Sequence, residues 1–426
     1  MERYDFLIIG NSVGAVGCIE ALRTLEKEKT VAVVGEEPYH VYSRALLPYY
    51  LDREIPLEKM YYRPEDFYRR MGVTAILGRR ATGLDTRRKV VYLDDGRALG
   101  YDKLLLATGG RPIVPPVAGL DLAKENVCTF LTLQDAQRLA RFLGSARRAV
   151  VLGGGIIGLM TAEALAKKGL SVSVVELAPR VLAPVVDEVT SRMVEEAFSR
   201  AGVTVYTGTT IGEVRGEGRA EEAVLTSGVT LPCDLLVVAV GVVPRVELAK
   251  EAGLAVNRGI LVNERMETSA PDVYACGDCA EVYDFLLDGR RVLPLWPNAY
   301  AGGRVAAFNM AGVPRVYDRA TAMNSMHFFD LNIITAGLNA GEKEGFEVAS
   351  RLDPAACRYR RLVLKDGRLY GFILVNEIAR AGILLNLMKE GVEVAPFVDK
   401  LLKDGFGYAC LPEDLRGKLL VRERMG

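Results

Sequence analysis

The stretch "FLIIGNSVGAVGCIEAL" (residues 6–22) reads as an apolar strand, a turn of small residues and a helix. Gly10 fills the first position of the dinucleotide fingerprint G-x-G-x-x-G, while Ser12 stands at the second and Ala15 at the third. The first glycine allows the tight turn, the second lets backbone approach phosphate, and the third permits close helix–strand packing. Serine is small and its hydroxyl can donate to a phosphate oxygen; alanine is an accepted third residue. The next apolar strand, "TVAVVGEE" (30–37), ends in acid, with Glu36 better placed than Glu37 to meet a ribose. A nucleotide site is expected here despite the altered fingerprint.

The same unit returns at 148–169 as "RAVVLGGGIIGLMTAEALAKKG". Here Gly153, Gly155 and Gly158 match the fingerprint in full, and "SVSVVE" (171–176) brings Glu176 to the end of the following strand. A carboxylate there accepts hydrogen bonds from both ribose hydroxyls and repels a 2′-phosphate, so NADH is favoured over NADPH. The alternative is a glycine-rich turn without a ligand. Two βαβ units of the mononucleotide-binding kind thus lie in one chain.

Other apolar strands stop at small residues: "KLLLATGGRP" (103–112), "LLVVAVGVVP" (235–244) and "DVYACGD" (272–278). After Val316 short strands precede two helical stretches, 377–390 and 395–404, with a hairpin expected around Asp366-Gly367. The chain has 426 residues, 54 Lys+Arg against 54 Asp+Glu, and no long basic block, which gives a nucleic-acid or anionic-membrane partner no support. Runs such as 235–243 are too short to span a bilayer, and the start lacks the pattern of a signal peptide. Seven scattered cysteines suit a reducing cytoplasm, the expected location.

Fingerprint, "LLLATGGRP", second fingerprint, "VVAVGVVP" and "TSAPDVYACGDCAE", in that order, resemble the FAD- and NAD-dependent pyridine nucleotide–disulfide oxidoreductase superfamily over residues 1 to about 315. The remainder is similar to the smaller closing domain of NADH oxidase, rubredoxin reductase and the flavin module of nitrite reductase. The resemblance implies an α/β fold with two Rossmann-like, glutathione-reductase-type nucleotide-binding domains plus a C-terminal α/β domain. The boundaries expected are 1–115 with 245–315 for a discontinuous FAD-binding domain, 116–244 for the NAD-binding domain, and 316–426 for a C-terminal interface domain.

It also implies ligands. FAD would meet Gly10, Ser12, Gly14 and Ala15 at its pyrophosphate, Glu36 at the adenosine ribose and the backbone of Ala81 at the adenine. Ser43 and Arg44 would lie along it, Thr108 and Gly109 would close over it with Arg111 nearby, and Asp278, after Gly277, would bond the ribitol chain. NADH would take Gly153, Gly155, Ile156, Ile157, Gly158, Glu176 and Gly241. "WPNAYAGGRVAAFNMAG" (296–312) reads as a helix starting near Asn298, either aimed at the flavin N1–C2=O edge or capped without a ligand.

Two departures bear on chemistry. "VYSRALL" puts Arg44 where relatives of the superfamily carry a redox cysteine, so disulfide, peroxide and persulfide substrates are not expected. Met160 replaces a glutamate that would bond the nicotinamide carboxamide. Cys276-x-x-Cys279 coincides with the G-D motif and reads as buried thiols; the two histidines, His40 and His327, offer little for a metal or a base, and no metal is expected. No side chain is assigned as catalytic. The expected activity is an FAD-dependent NADH:acceptor oxidoreductase exchanging electrons with a rubredoxin, ferredoxin or iron–sulfur subunit, as a homodimer or part of a larger complex. The alternatives are an NADH oxidase reducing oxygen directly and an FAD-binding structural or assembly subunit.

Overall fold

The computed structural model describes residues 1–52, 55–339 and 344–422. The expected C-terminal domain therefore includes two short stretches outside the described residues. The chain divides into two compact units: Met1–Pro115, Cys128–Gly144 and Val240–Thr321 form one, and Pro116–Val127, Ser145–Ala239 and Ala322–Gly426 the other.

The first unit is organised by parallel strands. Glu2–Ile9 lies between Val31–Gly35 and Ala98–Leu106, with Ile8 opposite both Val33 and Leu105. Val73–Leu77 extends one edge, and Val273–Ala275 pairs with the last three residues of Ala98–Leu106. Every residue of Val31–Gly35 is buried, as a strand covered on both faces requires. From the first strand the chain passes to a neighbour on one side and later returns on the other. The carboxyl ends of these strands therefore form a topological switch point, where α/β sheets open a ligand crevice.

The Val13–Leu25 helix lies against the Trp296–Met310 helix at unusually short range. A Cβ on Gly303 would come within 2.0 Å of the Gly14 carbonyl oxygen, and one on Gly17 within 2.4 Å of the Tyr300 oxygen. Only glycines allow this crossing. The second helix begins at Trp296 rather than near Asn298, because Pro297 is tolerated in a first turn that needs no N–H.

The second unit holds a parallel sheet in the order Thr204–Thr207, Ser171–Glu176, Arg148–Leu152, Leu235–Val238. Its core joins Val150, Leu152, Val175, Leu236 and Val238 to Val214, Ala223 and Leu225 of a small antiparallel sheet. A five-stranded antiparallel sheet follows, in the order Met323–Phe328, Leu331–Gly337, Arg368–Val375, Arg358–Lys365, Glu347–Asp353. Asp366 and Gly367 turn the expected hairpin with φ of 49° and 71°. The helical stretches are shorter than expected. Ala381–Lys389 is helical, whereas the second stretch is a 3₁₀ turn, Ala395–Phe397, followed by the short helix Val398–Leu401. Tyr359 donates its hydroxyl to Asp187 at 2.7 Å, tying this sheet to the helix that Asp187 caps.

Candidate functional site

In the first unit, Gly10 adopts φ 115°, and a Cβ there would strike the Ala107 carbonyl oxygen at 1.9 Å. The turn after the first strand is thus pressed against the turn after Ala98–Leu106. Ser12 precedes the helix, but its hydroxyl makes no capping bond, and the first intrahelical bond runs from Val16 N–H to Ser12 O. The N–H groups of Val13, Gly14 and Ala15 therefore point out of the helix start, a ready anion site at the switch point. Gly14 and Ala15 are themselves buried.

Glu36 is exposed and paired with Arg245. Its neighbour Glu37 accepts from Tyr42 Oη at 2.8 Å and from Arg44 at 2.9 Å. Ser43 starts the 3₁₀ turn that carries Arg44, and its N–H bonds Met60 O. Ala81 is half-buried at the head of Ala81–Asp85. Thr108 Oγ1 donates to Arg245 O at 2.7 Å, and Gly109, at φ 70°, accepts from Arg245 N–H at 2.9 Å. Arg111 is exposed and pairs with Glu247 at 3.2 Å.

Gly277 has φ 75° and Asp278 follows in a 3₁₀ turn. Asp278 is half-buried and accepts no hydrogen bond from the described residues; burial raises its carboxyl and the Arg44 guanidinium opposes the rise. Asn298 is spoken for on both sides: its Nδ2 donates to Thr321 O and its Oδ1 accepts from Tyr317, each at 2.9 Å. A cavity of about water size, lined by Gly277, Asn298, Gly302 and Tyr317, lies beside it.

In the second unit Gly153 takes φ 117°, and a Cβ on Gly158 would meet the Gly153 oxygen at 2.0 Å. Gly155 caps the Ile156–Lys167 helix with open space where a side chain would stand. Glu176 receives Gly154 N–H at 2.6 Å and Ala178 N–H at 2.7 Å, so the acid also braces the glycine turn. Ile156, Ile157 and Met160 are half-buried on the first turns of the helix. Gly241, φ 125°, falls in the first unit instead, where its carbonyl accepts from Ile113 N–H.

Cys18, Cys128, Cys276 and Cys279, all the cysteines of the first unit, are buried, and burial raises each thiol, Cys128 to about 11. His40 bonds Arg63 O at 2.9 Å and packs between Tyr61 and Tyr68; His327 lies in Met323–Phe328. Among the described residues no group of three or more His, Cys, Asp or Glu is arranged to hold a metal, and no helix is long and apolar enough to cross a membrane. Arg245, Tyr317, Gly17 and Gly303 were missed by the sequence reasoning. Only the two glycines left a trace there, as small residues at helical spacing.

A sheet switch point with an open helix start, repeated in the second unit with an acid-braced glycine turn, defines a protein with two dinucleotide-binding folds of the Rossmann kind. The chain belongs to the pyridine nucleotide-disulphide oxidoreductase family, whose model matches residues 4–303; the rubredoxin NAD+ reductase C-terminal domain matches 323–392. It is 34% identical to NADH-dependent phenylglyoxylate dehydrogenase subunit epsilon of Aromatoleum evansii, over 93% of this chain and 94% of that one. It is 36% identical to putidaredoxin reductase of Pseudomonas putida, over 79% and 81%. A solved covalent putidaredoxin reductase–putidaredoxin complex superposes with a TM-score of 0.88 at 28% identity, covering 100% of both chains. The family's cofactors are FAD and NAD(P)H, and the chain is an FAD-dependent NAD(P)H oxidoreductase.

The residues present fit FAD. An anion-seeking helix start, a carboxylate at the end of the second strand and an unbonded half-buried carboxylate at Asp278 suit, in turn, a pyrophosphate, a ribose and a polyol.

Proposed function

We propose that the chain exchanges electrons between the NADH/NAD+ couple and an external carrier protein such as a rubredoxin, ferredoxin or iron–sulfur subunit. It either oxidises NADH to reduce the carrier or oxidises the carrier to reduce NAD+. FAD, when bound, supplies hydride exchange with NADH and release of electrons one at a time. The observation that carries this reading is the thiol inventory of the first unit. Each cysteine is buried and held protonated, and Arg44 occupies the helix-side turn, so no thiolate is offered for a disulfide relay. Electrons must leave by another molecule.

The chain's own residues bind and orient. Ser12, Gly14 and Ala15 would hold the pyrophosphate by backbone N–H groups, over the turn made by Gly10, whose own N–H donates to Val34 O; Glu36 would take the ribose and Ala81 the adenine edge. Thr108 and Gly109, fixed by Arg245, would form one wall, with Ser43, Arg111 and Gly277 nearby. Asp278 would accept from ribityl hydroxyls; burial raises its carboxyl and the Arg44 guanidinium opposes that rise. The start of the Trp296–Met310 helix would face developing negative charge with its backbone, since the Asn298 side chain is already bonded. Gly153, Gly155, Ile156, Ile157 and Gly158 would hold NADH, and Glu176 would favour it over NADPH. The three-module division 1–115 with 245–315, 116–244 and 316–426, a homodimer and a cytoplasmic location belong to the same proposal.

The test is anaerobic mixing with NADH followed by carrier. Bleaching of the flavin absorbance and reoxidation by a small iron–sulfur protein support the reading. Rapid NADH consumption in air without a carrier would favour direct oxygen reduction, and failure to bleach would favour a non-catalytic flavoprotein.

A further inference from the structure

We propose that Arg245 is a cofactor-binding residue: a clasp that lies across the phosphate turn of the first unit and holds FAD by its pyrophosphate. The inference deepens the FAD reading of that site and rests on it. Arg245 is anchored at one point by two main-chain bonds, since its N–H donates to Gly109 O and its carbonyl accepts from Thr108 Oγ1. That point is the turn after Ala98–Leu106. Its guanidinium ends elsewhere, in an ion pair with Glu36 just beyond Val31–Gly35.

The sheet places Glu2–Ile9 between those two strands, so the side chain must pass over the carboxyl end of Glu2–Ile9. Neighbouring strands are about 4.8 Å apart, so the span is roughly 10 Å, which an arginine and a glutamate together cover. Beneath that path lie Gly10, Ser12 and the outward N–H groups of Val13, Gly14 and Ala15. A pyrophosphate drawn to those N–H groups sits under a guanidinium whose five N–H donors exceed what Glu36 can take up. Both side chains are partly open to solvent, 35% for Arg245 and 47% for Glu36, so the pair can part to admit the cofactor and close again. With FAD in place, Arg245 donates to phosphate oxygens while Glu36 turns its carboxylate to the ribose. The two residues thus form one device, joined to the Thr108–Gly109 wall by the Arg245 backbone.

The experiment removes bound flavin and measures FAD rebinding by fluorescence quenching for wild type, R245A and R245K, at about 50 mM and about 500 mM salt. Far-UV circular dichroism and the melting temperature of the cofactor-free proteins serve as the check on folding. Loss of a charge-assisted contact to phosphate predicts FAD binding weakened about tenfold in R245A. R245K should recover part of the loss, because it restores the charge without the fork. Salt should weaken wild type more than R245A, since the lost contact is ionic. Wild-type affinity in R245A overturns the proposal. So does weakened affinity with an unchanged salt dependence, which would mean that Arg245 acts only by shaping the Thr108 turn. A wild-type protein that takes up no FAD would instead overturn the cofactor reading itself.

Discussion

Tyr317 donates its hydroxyl to Asn298 Oδ1 at 2.9 Å, and Asn298 passes the link on to the Thr321 carbonyl. The residue at the start of the Trp296–Met310 helix is therefore fastened to the segment that leaves the first unit. N298A leaves the largely buried Tyr317 hydroxyl without its acceptor and should cost about 1–2 kcal/mol, and Y317F about 1 kcal/mol. Urea unfolding of the cofactor-free variants checks both values; no loss in either variant would mean that the pair is not a structural tie.

The helix crossing gives a sharper contrast. G303A forces a Cβ against the Gly14 carbonyl and should destabilise by about 1–3 kcal/mol, with loss of flavin as the phosphate turn shifts. G382A, in the exposed second position of Ala381–Lys389, meets nothing within 4 Å and should stabilise by about 0.5–1 kcal/mol. Thermal unfolding of the two single variants separates them in sign.

Glu176 should decide between the two nicotinamide cofactors. E176A removes the carboxylate that both braces the Gly154 turn and would repel a 2′-phosphate. We expect kcat/KM for NADH to fall about tenfold and the ratio to NADPH to narrow by at least the same factor, about 1.4 kcal/mol. Steady-state kinetics with both cofactors gives the ratio; an unchanged preference would take Glu176 out of the ribose site.

Acid sensitivity should appear at Asp234, which takes the N–H groups of Arg147 and Arg148 at 2.9 Å each and the Arg148 guanidinium at 2.7 Å. The Arg148 hydrogen bond leads in lowering its carboxyl to about 2. A folded value below the unfolded one stabilises above about pH 4 and is lost as pH falls toward 2. D234N should lower stability at pH 7 by about 1 kcal/mol after allowance for solvent screening, and the gap to wild type should shrink at pH 3. Urea midpoints at the two pH values measure it.

The nucleotide-binding architecture was legible because it is written locally. Strand, glycine turn, helix and acid recur within about thirty residues of one another, and Gly10 and Gly153 both adopt the positive φ their motif requires. The Asp366-Gly367 hairpin was equally local. What escaped was long-range. Arg245 and Glu36 are 209 residues apart, and nothing in "VVPRVE" signals an ion pair with the end of another strand. Gly17 and Gly303 reveal their purpose only when two helices cross. Asn298 was placed beside the flavin by resemblance, while its side-chain bonds depend on where Tyr317 and Thr321 pack.

The central claim is that electrons pass between NADH and an external carrier without a thiol relay. Anaerobic titration of the flavin-loaded protein with NADH tests it most directly, read by flavin absorbance. One equivalent of NADH per flavin should bleach the cofactor fully, and the endpoint should be the same in a C276S/C279S double variant. An endpoint at two equivalents that falls to one in the double variant would reveal a second two-electron store at those cysteines and contradict the account.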